Sequence, residues 1–196
     1  MDTQFWIVRC GAKTKNIRVK VGGSKLPLGK EPFNELKVTK NGCIGINGDK
    51  TPDPNCIVDY NHYRSINKSL KGTEDRAVSI VTRDIYNKLN EILRITEEHS
   101  IKVEIGDLGE NITLENIEYY DFEVGTIIKL NNVVLEITEP CIACFRLGTV
   151  TWADIAGGTN WWRKKNNTSI SNFINIPGAR GWYAKVLTEG NVFITK

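Results

Sequence analysis

The chain has 196 residues, 40% of them hydrophobic and 25% charged, and its 26 Lys and Arg against 23 Asp and Glu leave a net charge of +3. That length suffices to bury the core of one compact domain, and so small and dispersed a surplus argues for no nucleic-acid and no membrane partner. No apolar run approaches the roughly 18 residues of a membrane span. The N-terminus lacks the basic and apolar regions of a signal peptide. Five cysteines at irregular spacing point to reduced thiols in a cytoplasmic protein rather than to a disulfide framework.

Residues 5–10 and 17–21 read as strands, the second alternating apolar and polar as a half-buried strand does. Residues 23–34 and 41–76 are rich in Gly, Pro, Asn, Asp and Lys and read as long loops, which in a compact domain are commonly functional. Residues 77–81 form a short strand. Thr82 is placed to cap a helix running to about His99, in which Ile85, Leu89, Ile92 and Leu93 make one apolar stripe. Residues 101–105 alternate strictly, as a strand. Residues 126–130 and 133–138 flank Asn131-Asn132, a pair that tolerates the positive φ of a two-residue hairpin turn. A second hairpin is predicted from 183–187 through Glu189-Gly190-Asn191 to 192–194. Residues 157–172 form a polar insertion with Trp161-Trp162 beside Arg163-Lys164-Lys165. It reads either as a loop whose tryptophans pack on the body, or as a lid that stacks on a flat ring and attracts a phosphate. Many short strands and one dominant helix predict a mainly β fold, a closed or nearly closed β-barrel with a few decorating helices. It would form a single domain over 1–196, without repeats.

Three clusters carry chemistry. Pro140-Cys141-Ile142-Ala143-Cys144 holds a Cys-x-x-Cys pair. Such a pair serves as a redox dithiol when a helix N-terminus lowers the first pKa, as half of a zinc site when two further ligands are near, or as a single working thiolate with an incidental neighbour. A buried cysteine is also often inert, and spacing alone does not choose among these. Gly106-Asp107-Leu108-Gly109-Glu110-Asn111-Ile112-Thr113 is a tight turn whose Glu110 and Asn111 offer hydrogen-bonding groups to a ligand or to their own backbone. Gly178-Ala179-Arg180-Gly181-Trp182-Tyr183 leaves the Arg180 fork accessible between glycines, suited to bidentate phosphate binding or to pairing with a carboxylate such as Glu110. Asp75 and Arg76, ahead of the strand at 77–81, can form a local ion pair of small worth if exposed. His62 and His99 are the only histidines, and His99 is placed to meet a helix dipole.

From about Leu36 onward these motifs together resemble the MOSC domain, the C-terminal domain of molybdenum-cofactor sulfurases. The resemblance places Cys144 on the family's functional cysteine, and Cys141 where an arginine is common. The Gly-Glu-Asn-hydrophobic-Thr motif is matched through Thr113, the Gly-x-Arg-Gly-Trp-Tyr motif through Arg180, and the Asp-Lys/Arg-Ala-Val motif at Asp75-Arg76-Ala77-Val78. Two histidines common in the family are missing, at Leu70-Lys71-Gly72 and Gly48-Asp49-Lys50. The resemblance implies that Cys144 carries sulfur as a persulfide or ligates molybdenum, at the mouth of a barrel pocket. Arg180 and Arg76 would bind the phosphate of the molybdenum cofactor (molybdopterin), and Asp75, Glu110, Asn111 and Thr113 would border or orient it. The reaction would be sulfur transfer or reduction of an N-hydroxylated compound. It implies a sulfur-donor or electron-donor protein, or a molybdoenzyme, as partner. Other expectations are a non-catalytic module for an anionic cofactor, and a thiol switch through Cys141 and Cys144. Larger relatives carry a pyridoxal-phosphate half for which this chain has no room, so no intrinsic pyridoxal-phosphate site is expected.

Overall fold

The protein is described from a computed structural model, over residues 5–15, 30–58, 74–96, 102–142 and 169–196. The predicted strand at 17–21 and residues 157–168 of the polar insertion at 157–172, with Trp161 and Trp162, lie outside the described residues; residues 169–172 of that insertion are helical instead. Strands β1 (Trp6–Ala12), β2 (Glu31–Phe33), β3 (Glu35–Thr39) and β4 (Gly42–Ile46) come first. Strand β5 (Val78–Thr82), helix α1 (Arg83–Thr96) and β6 (Ile112–Glu115) follow. Then come β7 (Ile127–Leu130), β8 (Val133–Pro140), helix α2 (Ser169–Ile174), β9 (Trp182–Thr188) and β10 (Gly190–Phe193). The fold is mainly β, as expected.

The barrel expectation is corrected. Seven strands form one sheet in the order β2-β1-β6-β5-β9-β8-β7, and three form a second in the order β10-β3-β4. Neither closes on itself, because β2 and β7 remain at opposite edges of the larger sheet. Within that sheet only β5 and β6 run parallel, and helix α1 makes the crossover between them, as a parallel pair requires. The predicted second hairpin is also corrected. Strands β9 and β10 follow one another but enter different sheets, β9 pairing with β5 and β8 and β10 with β3. The Asn131-Asn132 hairpin is as predicted, with Asn131 at φ 54°.

Period-two alternation sets the faces of the large sheet. Val78, Ile80, Ile112, Leu114, Leu135, Ile137, Trp182, Ala184 and Val186 point into the main core, joined there by Leu36 and Val38 of the small sheet. The alternate residues point to the opposite face. There Val81 meets the α1 stripe of Ile85, Leu89, Ile92 and Leu93, with Phe173 and Ile174 of α2. Strand β5 is buried at every position, as expected of a strand covered on both sides.

Three further expectations change. Residues 42–46 lie in a segment read as loop, yet they pair with β3 along the whole of β4; the glycines masked an apolar strand. Residues 102–105 are not a strand, because the Asn90 amide of α1 takes the place of a strand neighbour. Its Nδ2 donates to the Val103 carbonyl at 3.0 Å and its Oδ1 accepts from the Val103 amide at 2.7 Å. Thr82 does not cap α1; it ends β5, buried, with its hydroxyl unpartnered.

Candidate functional site

The site begins as a line of neighbours across the large sheet. Glu139 of β8 stands opposite Tyr183 of β9, and Tyr183 stands opposite Ser79 of β5. Ser79 accepts the Asn111 amide through its carbonyl at 2.9 Å, and Asn111 accepts the Gly11 amide at 2.7 Å. Directly opposed residues project to the same face, so Glu139, Tyr183 and Ser79 share the face turned away from the main core. Polar residues there interrupt an otherwise apolar sheet.

At one end of this line sits Arg76, fully buried. Its Nε donates to Glu139 Oε1, and its guanidinium lies 4.9 Å over the Tyr183 ring. Thr138 Oγ1 donates to the Asp75 carbonyl at 2.6 Å, so Asp75 serves this corner through its backbone. Cys141 follows immediately after β8. Its amide donates to the Gly181 carbonyl at 2.8 Å, which ties the cysteine turn to the arginine turn. Gly181 has φ 94°, and a Cβ there would come within 2.5 Å of the Ile80 carbonyl oxygen, so this close approach requires glycine. Burial pushes the Cys141 thiol up to about 12, against the opposing pull of Arg180, a Tyr183 hydrogen bond, Lys30 and Arg76. The Tyr183 hydroxyl is likewise raised, by burial first and then by Cys141.

Arg180 is buried beside Cys141. Its Nη2 donates to the Leu108 carbonyl, while its Nε is buried without a hydrogen-bond partner. The alternative in which Glu110 neutralises Arg180 is not seen. Glu110 instead lies 3.9 Å from Arg9 Nη1 and accepts Thr113 Oγ1 at 2.6 Å.

At the other end, the Gly-Glu-Asn-Ile-Thr motif is turned inward. Asn111 Oδ1 accepts from the Ser79 amide at 3.1 Å, from Ser79 Oγ at 3.1 Å and from Lys30 Nζ at 2.8 Å, and its Nδ2 donates to the Gly11 carbonyl at 3.0 Å. Glu110 and Thr113 are buried against one another. These three residues brace the turn; Glu110 Oε2 is buried without a hydrogen bond.

Lys30, Ser79, Tyr183 and Glu139 carry no role in the sequence reading. Ser79 was detectable as the polar residue inside an apolar strand. Lys30 gave no signal, since it lies in a segment that reads as loop. Its Nζ also donates to Ser79 Oγ at 3.1 Å, and burial pushes its amine down to about 7. Lys30 lines a cleft of about 800 Å³ together with Arg9, Phe33, Asn47 and Asp107. Cys144 lies outside the described residues, as do His62 and His99. No cluster of His, Cys, Asp and Glu suited to a metal ion occurs among the described residues, and none of their helices is long and apolar enough to cross a membrane.

The MOSC domain family model matches residues 57–195, and the chain belongs to the MOSC domain family. Two solved structures share the fold. YiiM from Geobacillus stearothermophilus superposes with a TM-score of 0.56 at 16% identity, covering 97% of this chain and 71% of that one. The YuaD protein from Bacillus subtilis gives 0.59 at 15% identity, covering 96% and 94%. No curated protein matches the sequence.

Proposed function

We propose that this member of the MOSC domain family binds the molybdenum cofactor through its phosphate beside Arg180 and Cys141, and that Cys144, three residues on in the sequence, carries sulfur or ligates molybdenum. One observation carries the reading: Arg180 is buried next to Cys141 with its Nε unpartnered, and no carboxylate among the described residues lies within ion-pair distance of it. A buried guanidinium left in this state is costly, and a phosphate would complete its hydrogen bonds in the forked geometry that arginine favours. The donor set fits an anionic group for that reason.

Arg76 would add charge from the far side of Tyr183, its position held by Glu139. Asn111, Glu110 and Thr113 would hold the wall of the site rather than touch the ligand. Cys141, protonated because burial raises it to about 12, would act as a packed thiol donor and leave the nucleophilic or metal-binding role to Cys144. That assignment weighs against a switch that begins with attack by Cys141, since the thiolate is the attacking form. When bound, the cofactor supplies a centre that exchanges electrons and an oxygen or sulfur atom with a substrate. The reaction class is sulfur transfer or reduction of an N-hydroxylated compound, served by a sulfur-donor or electron-donor protein. A cytoplasmic setting, which keeps thiols reduced, suits both.

The test is molybdenum, pterin and cyanide-labile sulfur content of protein from a cofactor-competent host, wild type beside Cys144→Ser. Molybdenum or labile sulfur present in the wild type and lost in the variant supports the reading. Cofactor retained equally by both would make the chain a binding module, and none of the three in either protein would refute cofactor chemistry at Cys144.

A further inference from the structure

Arg180 receives an anion only if its guanidinium is held with an open edge toward the site. Among the described residues one protein group hydrogen-bonds that guanidinium, the Leu108 carbonyl, which accepts from Nη2; Nε is left unpartnered. Where the fork points is therefore set by where the Leu108 carbonyl stands. Leu108 lies in the turn at 106–109, which is closed by the Gly109 amide donating to the Gly106 carbonyl at 2.8 Å. Gly106 has φ 107° and passes so near Arg9 that a Cβ there would come within 2.7 Å of the Arg9 Nε. Its backbone therefore has no room on the β1 side. On the other side helix α1 holds it: the Gly106 amide donates to the Tyr86 hydroxyl at 3.0 Å.

We propose that Tyr86 is a positioning residue for anion binding: by anchoring the Gly106 amide, it fixes the turn whose Leu108 carbonyl aims Arg180. This rests on the anion reading above. Tyr86 is buried, and its ring packs with Ile85, Leu89 and Leu108. A phenylalanine ring would fill that place as well, so the hydroxyl is not needed for the packing; what it adds is a fixed point for the turn. Burial raises the hydroxyl above the ordinary tyrosine range, the Glu110 charge adds to that, and the Gly106 and Leu108 amides oppose it, so the anchor is a neutral phenol. The far end of the same segment is pinned independently. Arg9 Nη1 donates to the Glu110 carbonyl at 3.1 Å, and Asn111 is bonded to Ser79 of β5. Tyr86 thus governs the stretch that carries Leu108.

The probe is inorganic sulfate, titrated into the whole chain at a temperature at which every variant is fully folded. Tyr86→Phe keeps the ring and removes the hydroxyl. It should weaken sulfate binding about three- to tenfold, whereas a hydroxyl that serves stability alone would leave the affinity of folded protein unchanged. In the Arg180→Gln background the same substitution should cost nothing further, because the two residues act through one path. Coupling is also reciprocal. In the wild type, sulfate should slow hydrogen exchange of the Gly106 amide by a similar factor, beyond any slowing shared by the amides of the β7–β8 hairpin. That measurement needs no variant and decides the matter if Tyr86→Phe does not fold. Full affinity in Tyr86→Phe, an equal loss in both backgrounds, or a Gly106 amide that sulfate leaves unchanged would overturn the proposal alone. A wild type that binds no sulfate would overturn the anion reading and this proposal with it.

Discussion

The turn at 106–113 and the turn at 178–181 carry equally strong motifs, yet the buried charge of the first has a counter-charge and that of the second has none among the described residues. In the first, Asn111 has each side-chain polar atom bonded to protein, and Glu110, though its Oε2 lacks a hydrogen bond, accepts Thr113 Oγ1 and has Arg9 at 3.9 Å as counter-charge. In the second, Arg180 is buried with its Nε unpartnered. A motif residue whose hydrogen bonds close within the chain is a brace, and one whose charge is buried without a counter-charge is a receptor. The contrast predicts that substitutions in the two turns separate cleanly: braces lose stability, receptors lose ligand.

The largest effect is expected where a buried charge would lose its partner. Glu139→Ala leaves the fully buried Arg76 without its carboxylate and should cost about 3–5 kcal/mol in chemical denaturation. Asn111→Ala leaves the Ser79 amide, the Gly11 carbonyl and the Lys30 amine short of a partner. It should cost about 2–3 kcal/mol, with sulfate affinity following the folded fraction; a full-stability variant with lost affinity would break the comparison.

The pH dependence of stability sharpens it. The Lys30 amine lies at about 7 in the folded chain, below its ordinary value. Between these two values the unfolded chain holds more protons than the folded one, so stability should rise with pH above about 7 toward about 10, at up to about 1.4 kcal/mol per unit. Lys30→Met should flatten that rise. The smallest effect is expected at Cys141, which should resist alkylation at about pH 8 in the folded protein and react on unfolding, because the thiolate is the reactive form.

Much of the fold was legible in local chemistry. The α1 stripe, the Asn131-Asn132 hairpin and β5 follow from apolar period and turn residues. What was not legible depends on partners distant in sequence. Residues 102–105 alternate like a strand but find Asn90 instead of a neighbouring strand. The sequence 183–194 has hairpin spacing, yet β10 meets β3 from the other end of the chain. β4, at the edge of the small sheet, was hidden by its glycines. The site shows the same division. Arg180, Arg76 and Cys141 were visible in motifs, and the structure brings them together. The pairing of Arg76 with Glu139, the position of Lys30 and the inward turn of Asn111 depend on which strands are neighbours, which no local pattern encodes.

The most direct measurement is sulfate affinity and unfolding free energy of Arg180→Gln beside the wild type. Removing a charge-assisted contact worth about 1.5–3 kcal/mol should weaken binding at least about tenfold, while stability stays within about 1 kcal/mol of the wild type or rises. Unchanged affinity, or a loss of affinity matched by a collapse in stability, would show that Arg180 is a brace and not a receptor, and would contradict the account.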